Sequence, residues 1–292
     1  DGTFMWDFTK EVLQNPRKGW YVTELDLVAD RPEIRKNMPK EDEDLFKAAV
    51  NKLLPLYPYE SGFFTTIQGT REFDSLMCHC IGRGYEDPVL VLLIHHLPRL
   101  RILRITDNSS SVCLKTFLRR VAAGYQNPAL APQMPLRHLE IVAVAHYDTE
   151  FSISVDWAVY FLCVPSLRTF AAFMMGSEGV GNFIDDEDSE DSGGSEAYLR
   201  NTAGAPVSNV EELLFHNCQF DPQSFNTILP MIKNLKKFHY EAGGHDVAYQ
   251  DYEPRKVIKA LATHAGHSLE ELQLVECEVG FEVCLLTSTN ID

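Results

Sequence analysis

One spaced apolar phrase recurs along the chain: an apolar residue, two free positions, a second apolar residue, one free position and a third. Three copies close on Asn or Cys, and they run from Leu100 to Asn108, from Val210 to Cys218 and from Leu269 to Cys277. Weaker copies begin at Val22, Leu136, Leu167 and Leu235. The alternation is typical of a strand with one buried face. Recurrence at intervals of a few tens of residues indicates stacked repeats.

Helix-start signals precede several of these strands. An acidic residue stands before a proline at Asp87-Pro88, Asp221-Pro222 and Glu253-Pro254. Proline suits the first position of a helix because the N–H that it lacks has no partner within the helix there, and an acidic residue favours the positive end of the helix. Ser152 is a further candidate cap, for a helix over 153–162. Alternating helices and strands of this spacing predict the α/β class, as a leucine-rich-repeat horseshoe. In this solenoid a curved parallel sheet forms the concave side and helices form the convex side.

We expect a single leucine-rich-repeat domain over residues 1–292, with two segments that interrupt the repeats. Residues 33–86 are predicted to be a helical or irregular N-terminal part, with helices over 44–54 and 72–81. Residues 176–207 carry the acidic run Asp185 to Asp191 and are predicted to be a flexible insertion, because such a run cannot bury itself. The run either attracts a basic partner or is a solvated spacer, and the spacer is the simpler interpretation.

Charge and cysteine content limit the partners. The formal net charge is -16, which argues against nucleic acid because phosphate binding needs clustered Lys and Arg. No apolar run approaches the roughly 18 residues of a membrane span, so no membrane partner is expected. The seven cysteines are odd in number and lie mostly in apolar stretches. This indicates reduced thiols in an intracellular protein of the cytoplasm or nucleus.

The outward positions of the strands are the predicted binding surface. Val142, Ala171, Phe173 and Leu214 form its apolar centre with a charged surround, an arrangement typical of a site for a protein or peptide. The alternative is that Phe173 packs against the acidic insertion. The predicted partner-binding residues of the concave face are Arg104, His138, Glu140, Val142, Phe173, Leu214, His216, His239 and Glu241.

Catalysis and metal binding receive little support from the sequence. His216 and Glu241 fall in one row on adjacent predicted strands, as a general base and its orienting partner would. A surface hydrogen bond or weak ion pair is the simpler interpretation. No nucleophile motif, phosphate loop or dinucleotide fingerprint accompanies them, and Cys78-His79-Cys80 lacks a second pair at ligand spacing. We therefore predict no enzyme activity, no catalytic residue, no metal and no cofactor.

The order of the motifs carries a resemblance to a known family. The helix-Pro-strand segment from Phe8 to Leu27, the Leu-Pro-x-Leu entry at Leu97 to Leu100, and the segments 210–220 and 235–255 together resemble the leucine-rich-repeat region of fungal F-box proteins. The resemblance implies the substrate-recognition part of an F-box-type ubiquitin-ligase receptor. The F-box itself, which would bind the adaptor of a cullin ligase, is absent from this chain and is expected before Asp1.

Two alternatives to this function remain. The first alternative is a leucine-rich-repeat scaffold without a ligase role, and the second is an enzyme with a His/Glu pocket on the concave face.

The register of the repeats also predicts that Leu103 and Leu272 are core residues. Replacing either by Ala is therefore expected to cost about 2–5 kcal/mol, whereas Arg104→Ala leaves folding intact.

Overall fold

The structure is a computed structural model, and it describes residues 4–27, 35, 38–53, 68–107, 111–146, 152–177, 207–243 and 252–276. The helices are α1 Phe4–Gln14, α2 Lys40–Leu53, α3 Gln68–Arg83, α4 Asp87–His95, α5 Val112–Gln126, α6 Asp156–Leu162, α7 Pro222–Ile228 and α8 Pro254–His264. The strands are β1 Glu24–Leu27, β2 Ile102–Asp107, β3 Ile141–His146, β4 Ile153–Ser154, β5 Thr169–Phe173, β6 Met175–Gly176, β7 Glu212–Cys218, β8 Lys237–Ala242 and β9 Glu271–Glu276. Short 3-10 turns at Pro16–Tyr21, Ala131–Gln133 and Leu229–Met231 complete the described elements.

A seven-stranded sheet organises the chain. Its strand order is β1-β2-β3-β5-β7-β8-β9, and every neighbouring pair is parallel. Successive strands lie side by side, and right-handed crossovers place the connections on one face of such a sheet. The α/β class and all seven predicted strands are confirmed.

The side of the sheet that packs against the helices forms the core. One row crosses this side of the sheet, in the order Leu25, Leu103, Val142, Phe170, Leu213, Phe238 and Leu272. The row is buried from Leu103 to Phe238, whereas Leu25 at its first end is half-buried. Leu103 is fully buried, whereas Leu272, on the last strand, is 45% exposed. The prediction that Leu272 is a core residue is therefore wrong, although its side chain lies on the predicted side of the sheet.

The third strand departs from the predicted register. The phrase predicted from Leu136 places Val142 on the outward side, but Val142 is fully buried and pairs with Leu103. The phrase that the strand uses is Leu139-x-x-Val142-x-Val144, offset by three residues. Leu136 lies before this phrase with a positive φ of 65°, and the strand begins at Ile141. The outward residues of β3 are consequently Ile141, Ala143 and Ala145.

A second difference concerns the helix predicted over 153–162. Ile153 and Ser154 instead form β4, which pairs with Met175 and Gly176 in β6, and the helix begins only at Asp156. Ile153 N–H bonds to the Met174 carbonyl at 2.9 Å, so this donor is used in pairing between strands rather than within a helix. Gly176 thus belongs to a strand and not to the predicted insertion.

Other predictions from the sequence fall partly outside the described residues. The predicted helices over 44–54 and 72–81 correspond to α2 and α3. The acidic run Asp185 to Asp191 and the closing residues Asn108 and Cys277 lie outside the described residues. Cys218, which closes the second strong copy, is buried, and its sulfur accepts the Met175 N–H at 3.4 Å.

Two global features bear on the class of protein. Cys78, Cys80, Cys113, Cys163 and Cys218, the cysteines for which the structure describes a position, are free thiols. Within the described ranges, no helix combines the length and apolar character that crossing a bilayer requires.

Candidate functional site

The side of the sheet opposite the core carries three rows of partly exposed side chains, which we call the open face. The first row is Glu24, Ile102, Ile141, Thr169, Glu212, Lys237 and Glu271. The second row is Asp26, Arg104, Ala143, Ala171, Leu214, His239 and Gln273. The third row is Thr106, Ala145, Phe173, His216, Glu241 and Val275. The first two rows form because neighbouring strands are hydrogen-bonded in register. The third row crosses a register shift between β7 and β8, which lies between Phe215 and Cys218.

The centre of the open face is apolar. We call this area the apolar patch; its members are Ile102, Ile141, Ala143, Ala145, Ala171, Phe173 and Leu214, all of them half-buried. It crosses β2, β3, β5 and β7 and measures roughly 14 Å by 13 Å from strand spacing and rise. Phe173 and Leu214 lie where the sequence predicts them. Val142 does not, and Ala143 and Ala145 take its place because of the shifted register.

The end of the open face next to β1 is acidic. Arg104 forms an ion pair with Glu24 and lies 3.7 Å from the Asp26 carboxylate. Two carboxylates on β1 therefore face one guanidinium on β2. The predicted binding residue Arg104 is on the open face as expected, but its charge is already balanced within the sheet.

The opposite end of the open face gathers three side chains that can bind a proton or a metal ion. His216 Nδ1 lies 3.3 Å from Glu241 Oε2, and the rings of His216 and His239 are 4.5 Å apart between centroids. His239 Nδ1 is 2.9 Å from the side-chain oxygen of Gln273. Burial lowers the pKa of His239 below its usual value, and the neighbouring His216 lowers it further. The predicted pairing of His216 with Glu241 is confirmed.

Two predicted binding residues lie elsewhere. His138 is exposed in the turn before β3, and Glu140 lies one residue before that strand, so neither is on the open face. Glu140 instead binds Arg101 at 2.6 Å. The hydrogen bond from Arg101 holds the pKa of the Glu140 carboxyl below its usual range. Both assignments followed from the incorrect register of the third strand.

Glu140 belongs to a row of alternating charge along the strand starts, which we call the charge ladder. Its members are Arg101, Glu140, Arg168, Glu211, Lys236 and Glu270. From Glu140 onward, the backbone N–H of each member donates to the backbone carbonyl of the member before it. The Glu211 carboxylate lies 2.6 Å from Lys236 Nζ and 3.8 Å from Arg168 Nη1. The alternation of sign is visible in the sequence only once the third strand is in register.

Comparisons of the chain with models of known families, with curated proteins and with solved structures found no match.

Proposed function

We propose that this chain is a protein-binding module of the leucine-rich-repeat type, with no catalytic activity of its own. In this proposal the open face is the concave side of a horseshoe and receives a peptide segment of a partner. The apolar patch inside a charged surround carries the proposal, because a dry apolar centre with a polar rim is typical of protein interfaces. Sequential parallel strands joined by helical segments are the topology that such a solenoid requires.

The size of the apolar patch favours a short ligand. An area of roughly 14 Å by 13 Å is much smaller than the roughly 800 Å² per partner that a stable interface between two folded proteins buries. It fits one or two apolar side chains of an extended segment. The surrounding polar side chains of the open face would supply the remaining contacts.

The charge of the open face indicates the composition of that segment. Across the three rows the acidic side chains are Glu24, Asp26, Glu212, Glu241 and Glu271. The basic ones are Arg104 and Lys237. This surplus of carboxylates favours a ligand with Lys or Arg beside its apolar anchor, and association should weaken as salt screens the attraction.

Selection of short peptides from a randomised display library tests the proposal. We expect enriched peptides to combine an apolar anchor with basic residues and to bind more weakly at high salt. Phe173→Asp should weaken binding at least about 30-fold, which corresponds to the loss of about 2 kcal/mol at a central anchor.

Ile258→Asp is the matched control, because it adds the same charge at an apolar side chain that is 48% exposed on α8. Far-UV circular dichroism should be unchanged in both variants, since neither side chain is buried in the core. Equal losses of binding in the two variants, or full binding by Phe173→Asp, would refute the role of the apolar patch.

The ligase assignment is a separate part of the proposal. The resemblance of the segments around Leu97 and Val210 to F-box proteins supports it, together with a cytoplasmic or nuclear setting in which free thiols persist. Co-expression of a cullin-ligase adaptor with the native protein, including any sequence that precedes Asp1, should give a stable complex. Failure to co-purify would refute the ligase role and leave a leucine-rich-repeat scaffold that binds the same peptides.

A further inference from the structure

We propose that His216, His239 and Glu241 form a binding site for a divalent transition-metal ion, with Zn²⁺ as the ion that the donors fit best. The site lies in the second and third rows of the open face, beside Phe173. It rests on the geometry of the three side chains and not on the protein-binding role of the face. Among the residues that the structure describes, they form the group with metal-ligand spacing.

The three donor atoms are already close to a coordination geometry. One atom from each side chain lies within 4.8 Å of the other two. For a tetrahedral ion with bonds of about 2.0–2.2 Å, neighbouring donors are about 3.4 Å apart. The distance of 3.3 Å between His216 Nδ1 and Glu241 Oε2 matches that spacing. The third donor, on His239, lies within 4.8 Å of the other two, and side-chain torsions on a surface can close the remaining distance.

His239 carries the most direct indication of a missing ligand. Its Nδ1 faces the Gln273 side-chain oxygen at 2.9 Å, and that oxygen can only accept a hydrogen bond. The ring proton therefore lies on Nδ1, and the lone pair lies on Nε2. His239 Nε2 is buried, and no atom of the residues that the structure describes forms a hydrogen bond with it. A buried nitrogen lone pair without a partner is costly, and a metal ion would satisfy it.

Gln273 has the role that outer partners have at known metal sites. A ligating histidine almost always donates its other ring N–H to a carbonyl or carboxylate, which fixes the tautomer and the ring orientation. Gln273, on the neighbouring β9, accepts this bond from His239. The second coordinating nitrogen is thus oriented by an adjacent strand before any ion binds.

The donor set determines the class of ion. Two imidazoles and one carboxylate suit Zn²⁺, Co²⁺ or Ni²⁺, whereas Mg²⁺ and Ca²⁺ prefer sites made of oxygen atoms. Three protein ligands leave one tetrahedral position open. On the open face this position is available to a water molecule or to a donor atom of another molecule.

No metal site is predicted from the sequence because the three ligands do not form a known ligand spacing within a single helix or strand. His216 and Glu241 are 25 residues apart and meet because β7 and β8 pair side by side. His239 and Glu241 lie on one strand two residues apart, so both side chains project from the same face. No short motif signals such a combination.

Metal titration of the complete, tag-free chain tests the site. After treatment with a chelator, Co²⁺ should bind one equivalent with the visible absorption of a four-coordinate ion, and Zn²⁺ should displace it. Millimolar Mg²⁺ or Ca²⁺ should not compete. Glu241→Gln and His239→Gln should each weaken Zn²⁺ binding by more than about 100-fold, beyond the 10–100-fold effect of losing an outer partner. Gln273→Leu should weaken Zn²⁺ binding by only about 10–100-fold.

His138→Gln is the matched control, since it removes an exposed imidazole that lies outside the open face; its affinity for Zn²⁺ should be unchanged. Circular dichroism of the metal-free variants establishes that they are folded, and Glu241→Gln keeps the size of a side chain that is 30% exposed. Two outcomes overturn the proposal. One is the absence of Zn²⁺ binding, and the other is binding that these ligand substitutions do not weaken.

Discussion

Leu103 and Leu272 occupy equivalent positions in two copies of the same phrase. Truncating each to Ala therefore shows how far the loss of stability depends on burial and how far on the position in the motif. Leu103 lies in β2 between Leu25 and Val142 and is fully buried. Leu272 lies in β9, pairs with Phe238 and is 45% exposed. We expect Leu103→Ala to destabilise the protein much more than Leu272→Ala.

The magnitudes follow from burial. Leu→Ala removes three carbon atoms, worth about 2.4 kcal/mol when all of them leave an apolar environment. At Leu103 a cavity term is added, which gives about 2–5 kcal/mol. At Leu272 nearly half of the side chain is already in water, so the transfer contribution falls to about 1 kcal/mol. Water fills the vacated space there, and no cavity term arises.

Urea unfolding of the complete chain, followed by far-UV circular dichroism, measures both changes. The midpoint should fall clearly for Leu103→Ala and only slightly for Leu272→Ala, with the denaturant slope unchanged in both. Equal losses for the two variants would refute the argument from burial. A loss below about 1 kcal/mol for Leu103→Ala would contradict the register of β2 itself.

Two further perturbations act near α4. The Asp87 carboxylate accepts hydrogen bonds from the N–H groups of Cys113 and Leu114 in the first turn of α5, at 2.6 and 2.9 Å. Asp87→Ala should therefore cost about 1–2 kcal/mol in urea unfolding, and no loss would contradict this capping role. Burial, with a smaller contribution from a neighbouring histidine, lowers the pKa of His95 to about 3. Because the unfolded chain protonates first, His95 stabilises the fold fully above about pH 6.5 and progressively less toward pH 3. When the pH falls from 7 to 5, the unchanged chain should lose about 2 kcal/mol more of its free energy of unfolding than the His95→Leu variant does. Equal losses in the two proteins would contradict the lowered pKa of His95.

The sequence predicted the class of the fold because the required information is local. A strand with one buried face must alternate, and a helix start favours an acidic residue before proline. Both patterns involve neighbours in the chain, so the seven strands and helices such as α7 and α8 follow from the printed residues. The outward positions on β5, β7 and β8, including Phe173, Leu214 and His239, were predicted for the same reason.

The third strand shows where local information is insufficient. Leu136-x-x-Leu139-x-Ile141 and Leu139-x-x-Val142-x-Val144 both satisfy the phrase, and the two overlap by three residues. Pairing with β2, which places Val142 against Leu103, selects the second. This choice moved Val142 into the core and Glu140 into the charge ladder, and it brought Ala143 and Ala145 into the apolar patch.

By itself the sequence determined that apolar residues alternate on parallel strands and which side of most strands is buried, because periodicity and burial are properties of short segments. Only the tertiary structure decided which side chains become neighbours. Asp87 caps the following helix rather than its own, and His216 meets Glu241 because hydrogen-bonded strands hold distant residues about 4.8 Å apart. Such contacts depend on the pairing of whole elements, and no spacing within one element encodes them.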